Sequence, residues 1–255
     1  MTSPAQQPVT AFAAAPTKAK RALQVAQAIV SDIQMNAREA GDRLPQEEDM
    51  LARYEVARAT LREALRFLEL QGVIHLQLGR GGGPVVSRPQ TRDFASSLSL
   101  ILQFMDTDLQ ALLELREAIA PDTAARAAER ATNADLAALT DCYAQLERDR
   151  ESASFEETNR RFHDLLGWAS GNPAFGLLTS ALHLLTRDLA MELGYSAQER
   201  SNQLRCLFRV LSAVRLRDAE NARRHMERLV KGSSEYLANR SPDLVSQKIS
   251  WGDPC

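Results

Sequence analysis

The sequence predicts a mainly α-helical protein in which three helices and a β-hairpin precede an all-helical antiparallel bundle. Apolar residues recur at helical spacing in three segments between residues 18 and 71. Two short β-rich segments around a glycine-dense turn follow at 73–86. From residue 93 to about 239 the helical spacing continues without a strand pattern. The chain therefore divides into a mixed front part and a purely helical rear part.

The composition is that of a globular protein from a reducing compartment. Of the 255 residues, 44% are hydrophobic and 25% charged, which excludes wholesale disorder. No apolar run approaches the roughly 20 residues that span a bilayer. Residues 1–17, which we expect to be a flexible tail, lack the basic start of a secretory signal. The 3 cysteines form no C-x-x-C pair, so we expect a cytoplasmic chain with no zinc finger. Because no apolar run is long enough to span a bilayer, we also expect no membrane partner.

Charge is distributed unevenly along the chain. Residues 1–90 contain 11 Lys and Arg against 9 Asp and Glu, a balance of +2. Residues 91–255 contain 20 against 24, a balance of −4. A polyanion would therefore bind the front part.

The front part begins with three predicted helices. The first covers 18–36, and Pro45 opens a short second helix whose acidic first turn complements a helix N-terminus. The third helix runs from about 57 to 71 and ends at Gly72, which is the usual residue just after a helix.

The hairpin completes the front part. Extended segments at 73–78 and 84–86 flank the glycine turn. Three helices followed by a small hairpin is the order of a winged helix-turn-helix. We assign this domain to residues 18–87, with a linker at 88–92.

The rear part contains seven predicted helices joined by short loops, which is typical of an antiparallel bundle. Good N-caps mark two of them, namely Thr132 three residues before Asp135 and Asn172 before a proline. We assign this domain to residues 93–239 and expect an irregular tail at 240–255. The helices are predicted at 93–105, 108–131, 133–151, 154–170, 173–193, 197–216 and 219–238.

The third helix has the residues that a helix in the DNA major groove needs at its N-terminal end. Arg58 and Arg62 are four residues apart and share one face, with Thr60 beside them and Arg66 one turn further on. A guanidinium can bind guanine or phosphate by two parallel hydrogen bonds. Arg80, in the hairpin turn, is placed to enter the neighbouring groove. The alternative is a solvated helix face balanced by acidic neighbours; the order of elements favours DNA.

Several fixed spacings together resemble the GntR family DNA-binding domain. The similarity covers residues 18–87 and includes Gly41-Asp42-Arg43-Leu44-Pro45, Val56-Ala57-Arg58, Leu61-Arg62-Glu63-Ala64-Leu65 and Gly79-Arg80-Gly81. It implies that Arg58, Thr60 and Arg62 contact operator DNA and that the wing residues Gly79, Arg80 and Gly81 lie in the minor groove.

One position departs from the family pattern. Where the family usually has an arginine after Pro-x-Glu, this chain has Glu48. The change removes an expected phosphate contact, so either operator affinity is lower or Arg43 and Arg53 compensate. Ala57 and Ala59 also replace residues that are often polar. A helical interaction protein without DNA binding is therefore one alternative function.

The rear part resembles the effector domain of the FadR subfamily, the FCD type. The similarity rests on Leu115-Arg116, on the run from Ala127 to Thr132, on Asn159-Arg160-Arg161-Phe162-His163 and on Asn172-Pro173. It implies a helical bundle around a small-molecule cavity, and a homodimer.

Many members of this type hold a divalent metal with one Asp and three His. The matching positions here are Asn159, His163, Leu207 and Leu229, so one ligand of the four remains. Leucine donates nothing to a metal, so we expect no metal or other cofactor. A displaced site built from Asn159, His163 and His225 is a less favoured alternative.

The same positions predict the effector site. His163 is either a cavity residue or a satisfied core histidine, while Leu207 and Leu229 make the cavity apolar. His225 lies one turn before Leu229. Arg116 could bind an anionic group or form an inter-helix salt bridge. We expect an effector that is a carboxylate with an apolar portion.

Together these features predict a ligand-responsive repressor that binds a pseudo-palindromic operator as a dimer. An enzyme is the other class considered. No nucleophile adjoins a base, no glycine-rich phosphate loop is present and the metal ligands are missing, so we expect no enzyme activity.

Overall fold

The computed structural model describes residues 18–79, 82–186 and 195–252. The chain divides into two units, with the division between Gln90 and Thr91. The predicted N-terminal tail lies outside the described residues. The predicted fold class is confirmed in both units.

The first unit consists of three helices and a two-stranded antiparallel sheet. Ile74 pairs with Val86 across the hairpin, and Gln77 pairs with Gly83 at its open end. The elements are α1 (Lys18–Met35), α2 (Glu47–Tyr54), α3 (Arg58–Leu70), β1 (Ile74–Gln77) and β2 (Gly83–Val86).

The core of the first unit lies between α1, α2, α3 and the hairpin. The apolar residues of α3 recur at spacings of three and four, so one stripe of the helix faces inward. Each buried leucine or isoleucine contributes about 1.5–3 kcal/mol relative to an exposed one. The largest fully buried side chains of this unit are Ile29, Met50, Leu61, Leu68 and Ile74.

Two backbone positions set the direction of α3. Glu55 ends α2 in the left-handed region, at φ 50°, and the chain re-enters a helix three residues later. Gly72 follows α3 with φ 69°, where a residue with a Cβ is disfavoured. The predicted role of Gly72 in ending α3 is confirmed.

The second unit is an all-helical bundle. The predicted N-caps are confirmed, because Thr132 and Asp135 form a reciprocal capping box and the side chain of Asn172 accepts from the Ala174 amide. A 3₁₀ turn, Asp149–Glu151, joins two of the helices. The described helices of the bundle are α4 (Thr91–Phe104), α5 (Leu109–Arg130), α6 (Asn133–Arg148), α7 (Phe155–Ala169), α8 (Pro173–Leu185), α9 (Ala197–Arg215), α10 (Ala219–Arg240) and α11 (Pro242–Val245).

The main core of the bundle surrounds α7. Phe155 and Phe162 of that helix are both fully buried, and they pack with residues of α5, α6, α9 and α10. Alanines of α5 contribute to the same core and allow the neighbouring helices to approach closely.

The structure corrects two predicted boundaries at the ends of the bundle. Helix α4 begins at Thr91, inside the predicted linker 88–92. Pro89 cannot lie in the interior of a helix, but it does not prevent a helix from starting two residues after it. Helix α8 ends at Leu185, and the remainder of the predicted segment, 187–193, lies outside the described residues.

The predicted irregular tail, 240–255, packs against the bundle over its described part, 240–252. Its apolar side chains explain why, since Val245 is buried in a cluster with residues of α5 and α10. The amide of Ile249 donates to the Thr107 carbonyl at 2.9 Å, and Lys248 forms an ion pair with Asp106 at 3.1 Å. The indole of Trp251 donates to the Ser96 hydroxyl at 3.2 Å.

Candidate functional sites

The N-terminal half of α3 presents a basic face. Its helix begins after Ala57, which has an extended backbone and no side-chain cap, and the Ala57 carbonyl accepts from the amides of Thr60 and Leu61. The side chains of Arg58 and Arg62 are 64% and 68% exposed, and Arg66 is exposed one turn further on. The three predicted arginines therefore share one solvent-facing surface.

Each of the first two arginines faces a glutamate of α2. Arg62 donates to Glu47 through Nε at 3.3 Å and through Nη2 at 3.5 Å. Arg58 Nη2 lies 3.8 Å from Glu48 Oε1, which is an ion pair without a hydrogen bond. The acidic first turn of α2 thus neutralises part of the basic face.

Thr60 lies on a different side of α3 from the sequence interpretation. It is only 8% exposed, because two residues along a helix turn the side chain by roughly 200° from Arg58. The placement of Thr60 beside the arginines is therefore wrong, and a contact between Thr60 and DNA stays a prediction.

The two arginines expected to compensate for Glu48 already have partners. Arg53 donates to Asp32 at 2.6 Å, and Asp32 also accepts from the Tyr54 hydroxyl. Arg43 donates to the side chain of Gln77 on β1 at 3.3 Å. Both arginines tie elements of this unit together.

The wing is described up to its tip. Gly79 has φ 104°, a conformation that favours glycine, and its carbonyl accepts from the Gly82 amide at 2.9 Å. A Cβ on Gly82 would overlap the Gln77 carbonyl. The predicted wing residues Arg80 and Gly81 lie outside the described residues.

A second candidate site lies inside the bundle, on α7. Asn159 and His163 are 8% and 5% exposed, and neither Asn159 Oδ1 nor His163 Nε2 has a hydrogen-bond partner among the described residues. Such buried atoms cost about 1–3 kcal/mol each unless a partner is supplied. Burial, followed by the charge of Arg116 and by His183, holds the pKa of His163 well below its ordinary value of 6.5.

His183 of α8 adjoins this site, although the sequence indicated no role for it. Its ring centroid is 5.5 Å from that of His163, and its Nδ1 lies 2.8 Å from Asp164 Oδ1. Asp164 also accepts from Arg160 at 2.9 Å. Burial lowers the pKa of His183 despite Asp164, so the neutral ring donates Nδ1–H to the carboxylate. Because His183 and Asp164 are 19 residues apart and lie on two helices, no local sequence pattern could have indicated their contact.

Arg116 of α5 lies close enough to affect both histidines. Its charge lowers the pKa of His163 and of His183. Within the described part of the chain, Arg116 has neither a hydrogen bond nor an ion pair. Its two predicted roles, binding of an anionic group and an inter-helix salt bridge, both stay predictions.

The two leucines that were predicted to line the effector site are buried in the core cluster that also contains Phe155 and Phe162 of α7. Leu207 is fully buried and Leu229 nearly so. Neither supplies a donor atom, and the described residues contain no group of three His, Cys, Asp or Glu that could hold a metal ion. The residues at these positions do not fit the family's metal site.

His225 is not placed with His163. It is partly exposed on α10, and its pKa is lowered by burial and by Arg209, Arg228 and Arg224. The groups that act on His163 are Arg116 and His183 instead. The displaced site of Asn159, His163 and His225 therefore lacks structural support.

A winged helix-turn-helix with a basic face on its third helix, followed in the chain by an all-helical bundle, is the architecture of a class of DNA-binding transcription regulators. The family model of bacterial regulatory proteins of the gntR family matches residues 21–82, and that of the FCD domain matches residues 111–232. The chain belongs to the GntR family and contains an FCD domain. Like its family, it is a transcription regulator and not an enzyme.

Individual relatives agree with this assignment. The uncharacterized HTH-type transcriptional regulator YcbG of Bacillus subtilis is 26% identical over 222 residues, which are 84% of this chain and 92% of YcbG. The HTH-type transcriptional repressor NanR of Klebsiella aerogenes is 29% identical, with 76% of each chain covered. A solved structure of a Streptococcus agalactiae GntR protein has the same fold, with a TM-score of 0.67 at 21% identity, and covers 84% of this chain and 99% of that one.

The sequence predicted that the chain has no segment that spans a membrane. None of the helices in 18–79, 82–186 and 195–252 combines the length and the apolar character needed to cross a bilayer.

Proposed function

We propose that this regulator is a ligand-responsive repressor that binds a pseudo-palindromic operator as a homodimer and releases it when a small carboxylate with an apolar portion enters the FCD bundle. The repressor part follows the name of the relative NanR. The ligand part rests on the buried Asn159 Oδ1 and His163 Nε2, which have no hydrogen-bond partner among the described residues.

The DNA part of the proposal rests on the exposed face of α3. Arg58 and Arg62 project from the N-terminal half of that helix, which is the half that reaches base edges in a helix-turn-helix, and Arg66 is exposed one turn further on. Two copies of the helix, one from each protomer, would occupy half-sites about one DNA turn apart. Arg80 of the wing would add a minor-groove contact.

The ligand part rests on three kinds of group around α7. Arg116 has no partner within the described residues and would hold the carboxylate. Asn159 and His163 would hydrogen-bond a second polar group of the ligand, since their free atoms are buried. Leu207 and Leu229 would face its apolar portion, because both are buried in the surrounding core.

We also propose that no metal takes part. A divalent metal needs several N, O or S donors that converge, and two of the four family positions are leucines here. Asn159 is a neutral donor, which binds a cation more weakly than aspartate does. The effector would instead be held by Arg116 and by uncharged hydrogen-bonding groups.

The ligand proposal is tested by thermal unfolding with linear alkyl carboxylates, from acetate to decanoate, and with the matching primary amides as controls. We expect the melting temperature to rise with chain length for the carboxylates only. Arg116→Gln should abolish this rise. Equal stabilisation by acids and amides would contradict the role of Arg116.

The metal proposal has its own measurement. Protein purified without chelator should contain far less than one equivalent of divalent metal by mass spectrometry, because the four family positions retain too few donors for a stable site. Stoichiometric zinc that is lost in His163→Gln would overturn it.

The regulatory proposal is tested by a gel-shift experiment in which the DNA is the promoter region next to the gene that encodes this regulator. Wild type should bind it as a particle containing two chains, and a stabilising carboxylate should release the DNA. A ligand that tightens DNA binding would show that the effector promotes binding.

A further inference from the structure

We propose that Glu48 of α2 reads a cytosine in the operator, next to a guanine read by Arg58. The inference rests on the proposed function, in which the exposed face of α3 contacts base edges. Glu48 is the residue that departs from the family pattern, and its surroundings differ from those of its neighbour Glu47.

Glu47 and Glu48 are neighbours with different surroundings. Glu47 is 36% exposed and accepts two hydrogen bonds from Arg62, so it connects α2 to α3. Glu48 is 87% exposed, and among the described residues its carboxylate has Arg58 as its ion-pair partner and accepts no hydrogen bond. An ion pair this exposed contributes about 0–1 kcal/mol to stability. Folding therefore leaves the Glu48 carboxylate free to meet another donor.

The position of Glu48 restricts what that donor can be. The carboxylate lies 3.8 Å from the guanidinium of Arg58, at the start of the recognition helix. A carboxylate accepts hydrogen bonds and repels phosphate, so contact with the DNA backbone is unfavourable. In the major groove, cytosine N4 is the amino group that Glu and Asp side chains accept from, whereas the adenine amino group adjoins the N7 acceptor.

The pair of side chains fits two neighbouring bases. Arg58 can donate to guanine O6 and N7, and Glu48 can accept from cytosine N4. The separation of their charged groups, 3.8 Å, is close to the rise of about 3.4 Å between stacked bases. Because the two charges cancel, this pair adds little to sequence-independent attraction and acts on base selection.

The test is selection of operator half-sites from a randomised DNA library with wild type and Glu48→Gln. Wild type should prefer cytosine at one position beside a preferred guanine. Glu48→Gln should lose the cytosine preference by at least about fivefold, the lower end for one specific base contact, and keep the guanine. Glu48→Arg should change the preferred base at that position from cytosine to guanine, because arginine donates where glutamate accepts.

A matched control removes one negative charge elsewhere in the same unit. Glu39→Gln lies in the exposed turn between α1 and α2 and should leave every base preference unchanged. Circular dichroism should show that all variants fold like wild type, as expected for exposed positions.

Two outcomes would overturn the inference. In the first, Glu48→Gln retains the wild-type preference at every position. In the second, it binds all sequences more tightly by the same factor, which would make Glu48 only a source of repulsion. Failure of wild type to select any sequence would instead contradict the assignment of α3 as the reading helix.

Discussion

The two units of this chain hold their functional polar groups in opposite states. On α3, Arg58 and Arg62 are exposed and already paired with glutamates of α2. In the bundle, Asn159 Oδ1 and His163 Nε2 are buried and unpaired among the described residues. An exposed ion pair exchanges partners at little cost, whereas a buried polar atom remains costly until a ligand satisfies it. The first arrangement suits a large polyanion and the second suits a small molecule that the bundle encloses.

The largest expected effect concerns the core of the bundle. Phe162→Ala removes a fully buried ring and should lower the free energy of unfolding of the bundle by about 3–5 kcal/mol. Tryptophan fluorescence in urea measures this, because Trp168 and Trp251, the 2 tryptophans of the chain, are both in the bundle. Phe162→Leu, the milder control, should lose less. An unchanged midpoint for Phe162→Ala would contradict its place in the core.

The next effect concerns the DNA-binding unit. Arg62→Ala should weaken operator binding by about 1–3 kcal/mol, the cost of losing one bidentate contact. Fluorescence anisotropy with labelled operator at fixed salt measures the affinity. Arg205→Ala removes the same kind of exposed cation from the bundle and should leave the affinity unchanged. Equal affinities of wild type and Arg62→Ala would refute the assignment of this helix face.

The third effect concerns the buried histidines. The pKa values of His163 and His183 lie below 6.5 in the folded chain, so below pH 6.5 the unfolded chain binds more protons than the folded one. Stability is therefore retained above pH 6.5 and lost as the pH falls below it, with a slope of at most about 1.4 kcal/mol per pH unit for each histidine. His163→Gln should reduce this slope in urea unfolding between pH 7 and pH 5. A slope equal to that of wild type would contradict the neutral, buried state of His163.

The smallest effect concerns the paired surface of the first unit. Arg53→Ala breaks a half-exposed ion pair with Asp32 and should cost no more than about 1 kcal/mol. Its operator affinity should stay within twofold of wild type, because Arg53 already binds Asp32. A tenfold loss of affinity would show that Arg53 contacts phosphate and compensates for Glu48 after all.

The sequence could predict features that depend on neighbours along one helix. The spacing of Arg58 and Arg62 predicted their common face, and the caps at Thr132 and Asn172 were predicted from Asp135, three residues on, and from the adjacent Pro173. Thr60 was misplaced because adjacency in sequence was taken for adjacency on the helix surface, although side chains two apart diverge by roughly 200°.

Features that depend on packing between helices could not be predicted from one sequence. The contact between His183 and Asp164 joins α7 to α8, and the grouping of Arg116 with both histidines involves α5 as well. His225 was expected near Leu229 from helical spacing, yet its side chain lies among arginines at the surface. The ordered tail was missed because Val245 and Ile249 are too few to form a periodic pattern.

The ordered tail also constrains when the bundle can finish folding. The bond from Trp251 to Ser96 joins residues 155 positions apart, so during synthesis it can form only after nearly the whole bundle has been made. Helix α4 is synthesised early in the bundle but gains this partner only after Trp251 has left the ribosome. A ribosome stalled before that residue would therefore display a nascent bundle in which α4 exchanges its amide protons faster than it does in the completed chain.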